Sequence, residues 1–351
     1  MEKLLREWDG ESLIITYDRP TKAWIIIAIH STVLGPAVGG TRMKSYTDVR
    51  AAVNDAQRLA AGMTYKWAAA GSDMGGGKAV LFVQPDMVGD ERKELLGRYG
   101  ALVEKLNGLF MTGPDSGTSV ADMDIIGRQA PSYIFGRSPA YGGAGDPAPF
   151  TALGVFCALE VSAEHLFSDP SLEDRRVVVQ GGGSVGGKLA EMLCNSGADV
   201  LFTDVNESAI HYCRDELGLT FIPADDIYDV QCDFFTPCAL GGVINGETIP
   251  RLNCKAVVGA ANNQLATSED AANLRGRGIL YAPDFVTNCG GAVAITGMET
   301  AGWTKQTATK RVQDSIRENL SKIYEMSDLQ DITTDQAARR LAEMRLAQSK
   351  P

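Results

Sequence analysis

The chain has 351 residues, of which 44% are hydrophobic and 22% are charged, and its formal net charge is −11. This length allows two domains with separate cores, and the composition is that of an ordinary globular protein. Because the acidic balance comes without a basic cluster, we expect no nucleic-acid partner. No apolar run approaches the ~20 residues that cross a bilayer, and the first residues lack a signal-peptide core, so we expect a cytoplasmic protein with no membrane partner.

Seven cysteines are scattered along the chain without a CxxC pair, and the three histidines show no ligand spacing. An odd number of dispersed cysteines is typical of reduced thiols rather than of a disulfide framework. The sequence therefore predicts neither disulfides nor a metal site.

The first third of the chain mixes strands and helices. The hydrophobic patterns predict, in order, strands at 12–18 and 23–31, a helix at 47–63, a strand at 78–85 and a helix at 90–108. Thr47 is the candidate cap of the first helix, and a glycine ends the second. The glycines and prolines of residues 136–150 then mark a loop or domain junction, and a helix follows at 150–167.

From Arg175 onward, short β-rich runs alternate with helical stretches. The predicted strands lie at 175–180, 198–205, 232–239, 255–261 and 278–286. Such alternation predicts a parallel sheet covered by helices on both faces. Two further helices are predicted at 304–327 and 333–347.

A glycine-rich turn joins the first of these strands to a helix. Gly181, Gly183 and Gly186 fit G-x-G-x-x-G, and Asp204 ends the next strand. The glycines allow the tight turn, close approach to a pyrophosphate and close packing of helix on strand, while the acid accepts hydrogen bonds from a ribose. The alternative is a plain strand–turn–helix. Context and acid together favour a dinucleotide site, and a carboxylate repels a 2′-phosphate, so the predicted cofactor is NAD.

Two lysines stand in small, apolar surroundings. Lys66 and Lys78 flank a stretch that ends in three glycines, and Asp115 lies in a glycine–proline loop after a strand. One cation could hold a substrate carboxylate, and burial and like charge could lower the pKa of the second so that it acts as a base. The alternatives are two surface lysines and an aspartate that caps a turn or helix.

An ordered series of motifs makes the whole chain resemble one family. The matching segments are LGPAVGGTRM, GMTYK, GGGK, TGPDSGT, ADMD, APFTALGVF, VQGGGSVGG, PCALGG, GAANNQ and ILYAPDFVTNCGG. The chain resembles the amino-acid dehydrogenases of the glutamate/leucine/phenylalanine/valine family, and is most similar to the shorter leucine- and phenylalanine-type members. The resemblance implies an α/β fold of two domains: an α/β substrate domain at 1–136, completed by a terminal helix at 328–351, and a Rossmann-type, doubly wound NAD domain at 137–327. The active cleft is expected between them.

The same resemblance implies roles for the charged residues. Lys66 would bind the substrate α-carboxylate, helped by the backbone of Gly39 and Gly40. Lys78 would be the base that activates water against an iminium intermediate, and Asp115 would carry protons to and from the amino nitrogen. The implied reaction is reversible oxidative deamination of an amino acid to a 2-oxo acid and ammonia, in a cleft that closes to exclude water.

Further residues are implied to contact the cofactor or the substrate. The cofactor-binding set is Gly181, Gly183, Ser184, Val185, Gly186, Asp204, Thr151, Ala239 and Asn288, and Asn262 would contact the substrate. Thr151 could instead be a plain helix-start residue, and Asn288 a structural turn residue.

Three residues, two of them small, are expected around the substrate side chain. Val38 stands where glutamate-type members carry a lysine, so a second substrate carboxylate would find no partner. Gly113 and Ala292 replace larger residues of leucine-type members and are expected to enlarge the pocket. We therefore favour phenylalanine or a similar large apolar amino acid, with leucine and valine as the alternatives.

Two other classes of function are alternatives to an amino-acid dehydrogenase. One is a catalytically silent NAD-binding regulatory protein, which the complete set of Lys66, Lys78 and Asp115 opposes. The other is a hydroxy-acid dehydrogenase, which the lack of a candidate active-site histidine opposes. The resemblance also suggests a homo-oligomer, at least a dimer, formed through the N-terminal strands and last helices.

Overall fold

The computed structural model describes residues 6–349, and this part of the chain forms two compact units. Unit 1 comprises the residues up to Asp146, the segment Ile295–Thr304 and the chain from Ala342 onward. Unit 2 comprises Pro147–Ala294 and Lys305–Leu341. Each unit has its own sheet and its own hydrophobic core.

Unit 1 is built on a mixed five-stranded sheet. Its strands are β1 (Ser12–Asp18), β2 (Ala23–Ser31), β3 (Ala37–Lys44), β4 (Gly75–Phe82) and β5 (Phe110–Pro114), in the order β1-β2-β4-β3-β5. The neighbours β1 and β2, and β2 and β4, are antiparallel, whereas β3 runs parallel to β4 and β5. The helices are α1 (Val49–Ala69), α2 (Gly89–Lys105) and α3 (Val120–Gly127). Helix α1 packs with Ile26 and Val80, and α2 and α3 pack with Ile25 and Leu81.

Strand β3 and both ends of helix α1 differ from the sequence prediction. Strand β3 was not predicted, because Gly39 and Gly40 lower the β-propensity of its centre. Helix α1 is capped by Asp48, whose side chain accepts from the backbone N–H of Ala51, rather than by Thr47. The helix also continues past Met63, so that Lys66 lies in its last turn.

Unit 2 contains an all-parallel six-stranded sheet, as the alternating pattern predicts. Its strands are β6 (Arg176–Gln180), β7 (Asp199–Thr203), β8 (Thr220–Phe221), β9 (Phe234–Pro237), β10 (Ala256–Val257) and β11 (Leu280–Tyr281). Their order is β11-β10-β9-β6-β7-β8. Numbered from the first strand of the sheet, this is the 3-2-1-4-5-6 order of the Rossmann fold, which binds ligands at the switch point beside its first strand.

Eight helices of the described chain lie wholly or partly in unit 2. They are α4 (Ala148–Phe167), α5 (Ser184–Asn195), α6 (Glu207–His211), α7 (Glu269–Gly276), α8 (Asp284–Thr287), α9 (Gly290–Thr300), α10 (Lys305–Gln330) and α11 (Thr334–Gln348). A π-helical turn at Tyr212–Glu216 continues α6, and short 3₁₀ turns lie at Pro139–Tyr141 and Ile227–Asp229. Helices α9 and α11 each begin in unit 2 and end in unit 1.

The boundary between the units lies ahead of α4, beyond the predicted position at residue 136. The glycine-rich loop belongs to unit 1 because Glu299 accepts hydrogen bonds from the backbone N–H groups of Gly136 and Ala144, at 3.0 and 2.9 Å. Asp124 holds the same loop by accepting from the N–H of Ser138 at 2.8 Å.

The terminal helix α11 is divided, although the prediction assigned residues 328–351 to the first domain. Near its start, the Thr334 hydroxyl donates to the carbonyl of Tyr281 in unit 2 at 2.6 Å. Near its end, Arg345 donates to Asp73 of unit 1 at 2.8 Å. Only the last part of the helix therefore completes unit 1, and residues 350–351 of the predicted segment lie outside the described part of the chain.

Helix α4 has the length and mean hydropathy of a membrane-spanning segment, although no apolar run in the sequence had indicated one. Half of that window is buried within the protein, as in the central helix of a globular domain. Ser162 on this helix shares a hydrogen bond of 2.7 Å with the hydroxyl of Tyr324 on α10, and both residues are buried. Its apolar surface is thus used for packing between helices within unit 2.

Candidate active site

Lys78 and Asp115 form a close ion pair in unit 1. Lys78 lies on β4, Asp115 directly follows β5, and β3 runs between these two strands. The ammonium nitrogen of Lys78 is 3.0 Å from Oδ2 of Asp115. The lysine side chain is 6% exposed and the aspartate side chain 25%. A lysine so deeply buried is unusual unless it is paired.

Two glycines of β3 make this close approach possible. A Cβ atom on Gly40 would lie 2.8 Å from the Cβ of Asp115, closer than real contacts allow. A Cβ on Gly39 would lie 1.8 Å from the carbonyl oxygen of Gly77 on β4. Any larger residue at either position would push β3 away from its neighbours. These are the glycines that the sequence analysis associates with the substrate carboxylate.

The electrostatic environment lowers the pKa of both members of the pair. Burial lowers the pKa of Lys78; the attraction of Asp115 opposes this, and the like charges of Arg42 and Lys66 add to it, so the pKa is below its usual value. Burial alone would raise the pKa of Asp115, but the positive charges of Lys78 and Arg42 outweigh it and hold that pKa below its usual value. A lysine with a depressed pKa is suited to general-base chemistry.

Lys66 approaches this pair from another element. It lies in the last turn of α1, and its positive charge is close enough to Lys78 to lower the pKa of that lysine. The structure therefore brings together Lys66, Lys78 and Asp115, which come from a helix, a strand and a loop.

Arg42 is a member of this cluster that sequence reasoning missed. Its Nε donates to Oδ2 of Asp115 at 2.9 Å, and its Nη1 donates to Asp55 at 3.1 Å. The signal was present in the segment GGTRM, because residues two apart on a strand share a face and Arg42 therefore follows Gly40 on the same side. The spacing of Gly40 and Arg42 indicates a shared face only if the segment is a strand, and the sequence did not predict β3.

The space beside Gly113 is filled, contrary to the expectation that this glycine enlarges the pocket. A Cβ on Gly113 would lie 2.2 Å from the ring of Phe135, which is 8% exposed. The aromatic ring thus takes the volume that the missing side chain leaves. Val38 is fully buried, and its carbonyl accepts a hydrogen bond of 2.9 Å from the indole of Trp67.

The glycine turn of unit 2 has the backbone that its pattern requires. Gly181 has a φ of +103°, a conformation that side chains rarely adopt. A Cβ on Gly186 would lie 1.8 Å from the carbonyl oxygen of Gly181, so helix α5 can start against the strand only with glycine there. A Cβ on Gly183 would meet open space, at the point where Ser184 and Val185 begin the helix.

Asp204 completes this site from the end of β7. One of its carboxylate oxygens accepts from the N–H of Gly182 at 2.7 Å and the other from the N–H of Asn206 at 2.8 Å. A cavity of about 550 Å³ lies here, lined by residues that include Gly183, Ser184, Lys188 and Asp204. A bare helix start with an acid beside it fits the phosphates and ribose of a dinucleotide.

The remaining predicted residues also lie in unit 2. Asn262 accepts a hydrogen bond of 2.7 Å from the side-chain amide of Asn288, which also donates to the carbonyl of Ala260 at 3.1 Å. Ala239 lies against Gly181, and Thr151 lies against Gly291 at the start of α9. The half-buried Ala292 follows on the same helix. Within residues 6–349, no group of three or more His, Cys, Asp and Glu side chains could hold a metal ion.

A Rossmann-ordered sheet with its glycine turn, joined to a second unit that buries a lysine–aspartate pair, defines a two-domain dinucleotide-binding protein of the α/β class. Residues 19–132 match the family described as Glu/Leu/Phe/Val dehydrogenase, dimerisation domain, and residues 202–350 match Glutamate/Leucine/Phenylalanine/Valine dehydrogenase. The chain belongs to this family of amino-acid dehydrogenases.

Curated relatives and a solved structure match nearly the whole chain. It is 42% identical to the leucine dehydrogenase of Thermoactinomyces intermedius, over 97% of this chain and 92% of the relative. It is 43% identical to the phenylalanine dehydrogenase of Lysinibacillus sphaericus, over 94% and 87%. The crystal structure of L-tryptophan dehydrogenase from Nostoc punctiforme aligns with a TM-score of 0.87 and 36% identity, over 99% of both chains.

Proposed function

We propose that this protein catalyses the NAD-dependent, reversible oxidative deamination of an apolar L-amino acid to its 2-oxo acid and ammonia. The observation that carries the proposal is the buried pair of Lys78 and Asp115, in which the pKa of the lysine is lowered and Lys66 is close by. Relatives named for leucine and phenylalanine, and a structural neighbour named for tryptophan, support an apolar substrate.

Each charged residue of unit 1 has a role in this reaction. Lys66 binds the substrate carboxylate, with the backbone of Gly39 and Gly40 beside it. Lys78 in its neutral form takes a proton from water, which then adds to the imine carbon. Asp115, which is ionised, exchanges protons with the amino nitrogen. Burial lowers the pKa of Lys78, and the positive charges of Lys78 and Arg42 lower the pKa of Asp115, as these two tasks require.

The residues of unit 2 bind the cofactor. Bound NAD supplies the hydride acceptor for deamination and, in its reduced form, the hydride donor for the reverse reaction. The N–H groups at Gly183 and Ser184 would bind the pyrophosphate, and Asp204 would accept from the ribose hydroxyls and repel a 2′-phosphate. Val185, Gly186 and the other predicted cofactor residues complete this surface.

Phenylalanine or a similar large apolar amino acid is the favoured substrate, with leucine and valine as alternatives. The buried Val38 offers no partner for a second carboxylate, which opposes glutamate. Because Phe135 fills the space at Gly113, the room for a ring rests on Ala292 rather than on both small residues. The relatives named for phenylalanine and tryptophan support a substrate with a large side chain. The relatives named for leucine support a substrate with a smaller side chain equally well.

The experiment is an assay of ammonia-dependent NADH oxidation over a panel of 2-oxo acids. We expect turnover with apolar oxo acids, little with 2-oxoglutarate, and a higher kcat/KM for phenylpyruvate than for 2-oxoisovalerate. Turnover without ammonia would instead indicate a hydroxy-acid dehydrogenase. NADH binding without any turnover would indicate a silent regulatory protein. A higher kcat/KM for 2-oxoisovalerate would still support the proposed reaction, but it would favour a branched-chain substrate over phenylalanine.

The proposed assembly is a homo-oligomer that works in the cytoplasm. The family that matches residues 19–132 is described as a dimerisation domain, which supports association through unit 1. Its small-molecule partners are the amino acid, the 2-oxo acid and ammonia. Sedimentation of the purified protein would give the number of subunits.

A further inference from the structure

One oxygen of Asp115 carries both of the ion pairs that this carboxylate makes. Oδ2 lies 3.0 Å from the ammonium of Lys78 and accepts from Nε of Arg42 at 2.9 Å. Oδ1 takes part in neither of these two contacts. The carboxylate is therefore fixed at one oxygen and leaves the other able to accept a proton.

Arg42 also forms an ion pair with a second carboxylate, that of Asp55. Its Nη1 donates to Oδ2 of Asp55 on α1 at 3.1 Å, and the same oxygen accepts from the hydroxyl of Tyr46 at 2.7 Å. The Arg42 side chain is 20% exposed and that of Asp55 is 11% exposed. Arg58 also contacts Asp55, through Oδ1 at 2.8 Å, but its side chain is 61% exposed.

We propose that Arg42 is a positioning residue of the reaction: clamped between Asp55 and Asp115, it holds Oδ2 of Asp115 against Lys78 and leaves Oδ1 as the atom that exchanges protons with the substrate. This inference rests on the proposed function and adds a residue that neither substrate nor cofactor needs to touch. An arginine suits the task because its planar fork makes two directed bonds at once, to Asp115 through Nε and to Asp55 through Nη1.

The charge of Arg42 also acts on both members of the pair. The charged groups that face Lys78 and Asp115 are Arg42 from β3 and Lys66 from α1. A positive charge favours the ionised form of Asp115 and disfavours the ionised form of Lys78. Loss of the Arg42 charge should therefore raise the pKa of both residues, so that a neutral Lys78 appears only at higher pH.

The test compares Arg42→Met, Arg42→Lys and the matched control Arg58→Met in the full-length protein. Arg42→Met should lower kcat by about tenfold to a hundredfold, less than the loss of a general base itself, and change the substrate KM by much less. Its pH profile for kcat/KM should move to higher pH by about one unit on the acid side. Arg58→Met should keep the wild-type profile, because exposed ion pairs contribute little.

A second readout does not depend on turnover. Lysine labelled with ¹³C at Cε reports the ionisation of Lys78 by NMR, with the resonance assigned by its loss in Lys78→Ala. The Lys78 titration should move to higher pH in Arg42→Met and stay near the wild-type value in Arg42→Lys, which keeps the charge. The kcat of Arg42→Lys should nevertheless stay low, because one ammonium cannot reproduce the two-point fork.

Three results would overturn the proposal: a wild-type pH profile in Arg42→Met, an unmoved Lys78 titration in that variant, or wild-type kcat in Arg42→Lys. Should Arg42→Met not fold, as thermal unfolding would show, Asp55→Asn tests the clamp from its other end, and unchanged kcat there would equally overturn it. A wild-type protein without ammonia-dependent turnover would refute the proposed function, while the Lys78 titration would still decide whether Arg42 sets the state of the pair.

Discussion

In unit 1, Lys78 and Arg42 lie on two different strands, and both contact Oδ2 of Asp115, at 3.0 and 2.9 Å. In unit 2, by contrast, the glycine turn occupies the single stretch 181–186. The first site consists of charged side chains that burial has crowded together. The second consists of backbone from which side chains are absent. The two regions should therefore fail in different ways: loss of a charge should impair the chemical step, and gain of a methyl group should impair folding or cofactor binding.

The largest effects are expected from the two lysines of unit 1, and the two variants should change different kinetic constants. We expect Lys78→Ala to lower kcat by ~10²–10⁴-fold, the usual contribution of a general base, while binding of the amino acid survives. Lys66→Ala should instead raise the substrate KM strongly, because we propose that Lys66 binds the substrate carboxylate. Steady-state kinetics and inhibitor binding measure both effects. Near-wild-type kcat in Lys78→Ala would refute its role as the base.

Adding one methyl group to the glycine turn should separate packing from cofactor contact. Gly186→Ala forces a Cβ to within 1.8 Å of the carbonyl of Gly181, so we expect a loss of stability of ~1–3 kcal/mol together with loss of NADH binding. Gly183→Ala has open space, so it should keep the melting temperature and weaken NADH binding alone. Thermal unfolding and NADH fluorescence titration distinguish these outcomes.

Gly276→Ala is the matched control for these glycine variants. Its Cβ would meet nothing within 4 Å, and the residue lies at the end of α7 in the same unit. We expect wild-type stability and wild-type NADH binding. If Gly183→Ala also binds NADH normally, the turn does not approach the pyrophosphate as proposed.

Cofactor choice tests the carboxylate of the unit 2 site, Asp204. Asp204→Asn keeps acceptor oxygen for one of the backbone N–H groups of Gly182 and Asn206 but removes the negative charge. We expect the wild type to use NAD far better than NADP, and the variant to narrow that ratio by about tenfold, equivalent to ~1.4 kcal/mol. The ratio of kcat/KM values for the two cofactors measures it. A wild type that prefers NADPH would contradict the proposed role of Asp204.

The smallest effect concerns Gly113, where unit 1 behaves like the glycine turn of unit 2. Gly113→Ala places a Cβ 2.2 Å from the ring of Phe135, so it should lower the melting temperature, while the kcat/KM ratio of phenylpyruvate to 2-oxoisovalerate should change little because Phe135, not the substrate, occupies this space. Adding Phe135→Leu should restore stability, because the shorter side chain leaves room for the methyl group. If Gly113→Ala alone keeps the wild-type melting temperature, the ring moves aside at no cost.

The local sequence determined much of unit 2. Alternating apolar runs and helical stretches predicted the parallel sheet, and the spacing of Gly181, Gly183 and Gly186 before Asp204 predicted the turn, because all of these features depend on neighbouring residues. The strands that pair in the sheet repeat one pattern, so its parallel character followed directly.

Tertiary structure decided the site of unit 1. The sequence predicted that Lys66, Lys78 and Asp115 are functional residues, but it did not predict β3, which brings β4 and β5 together. The paired glycines of β3 gave this segment a low β-propensity. Because that strand was missed, so were Arg42 and its clamp to Asp55. The filling of the space at Gly113 by Phe135 was equally invisible, since the two residues are separated in sequence and meet only after folding. A sequence states which charges and gaps exist; only packing determines which charge faces which, and what fills each gap.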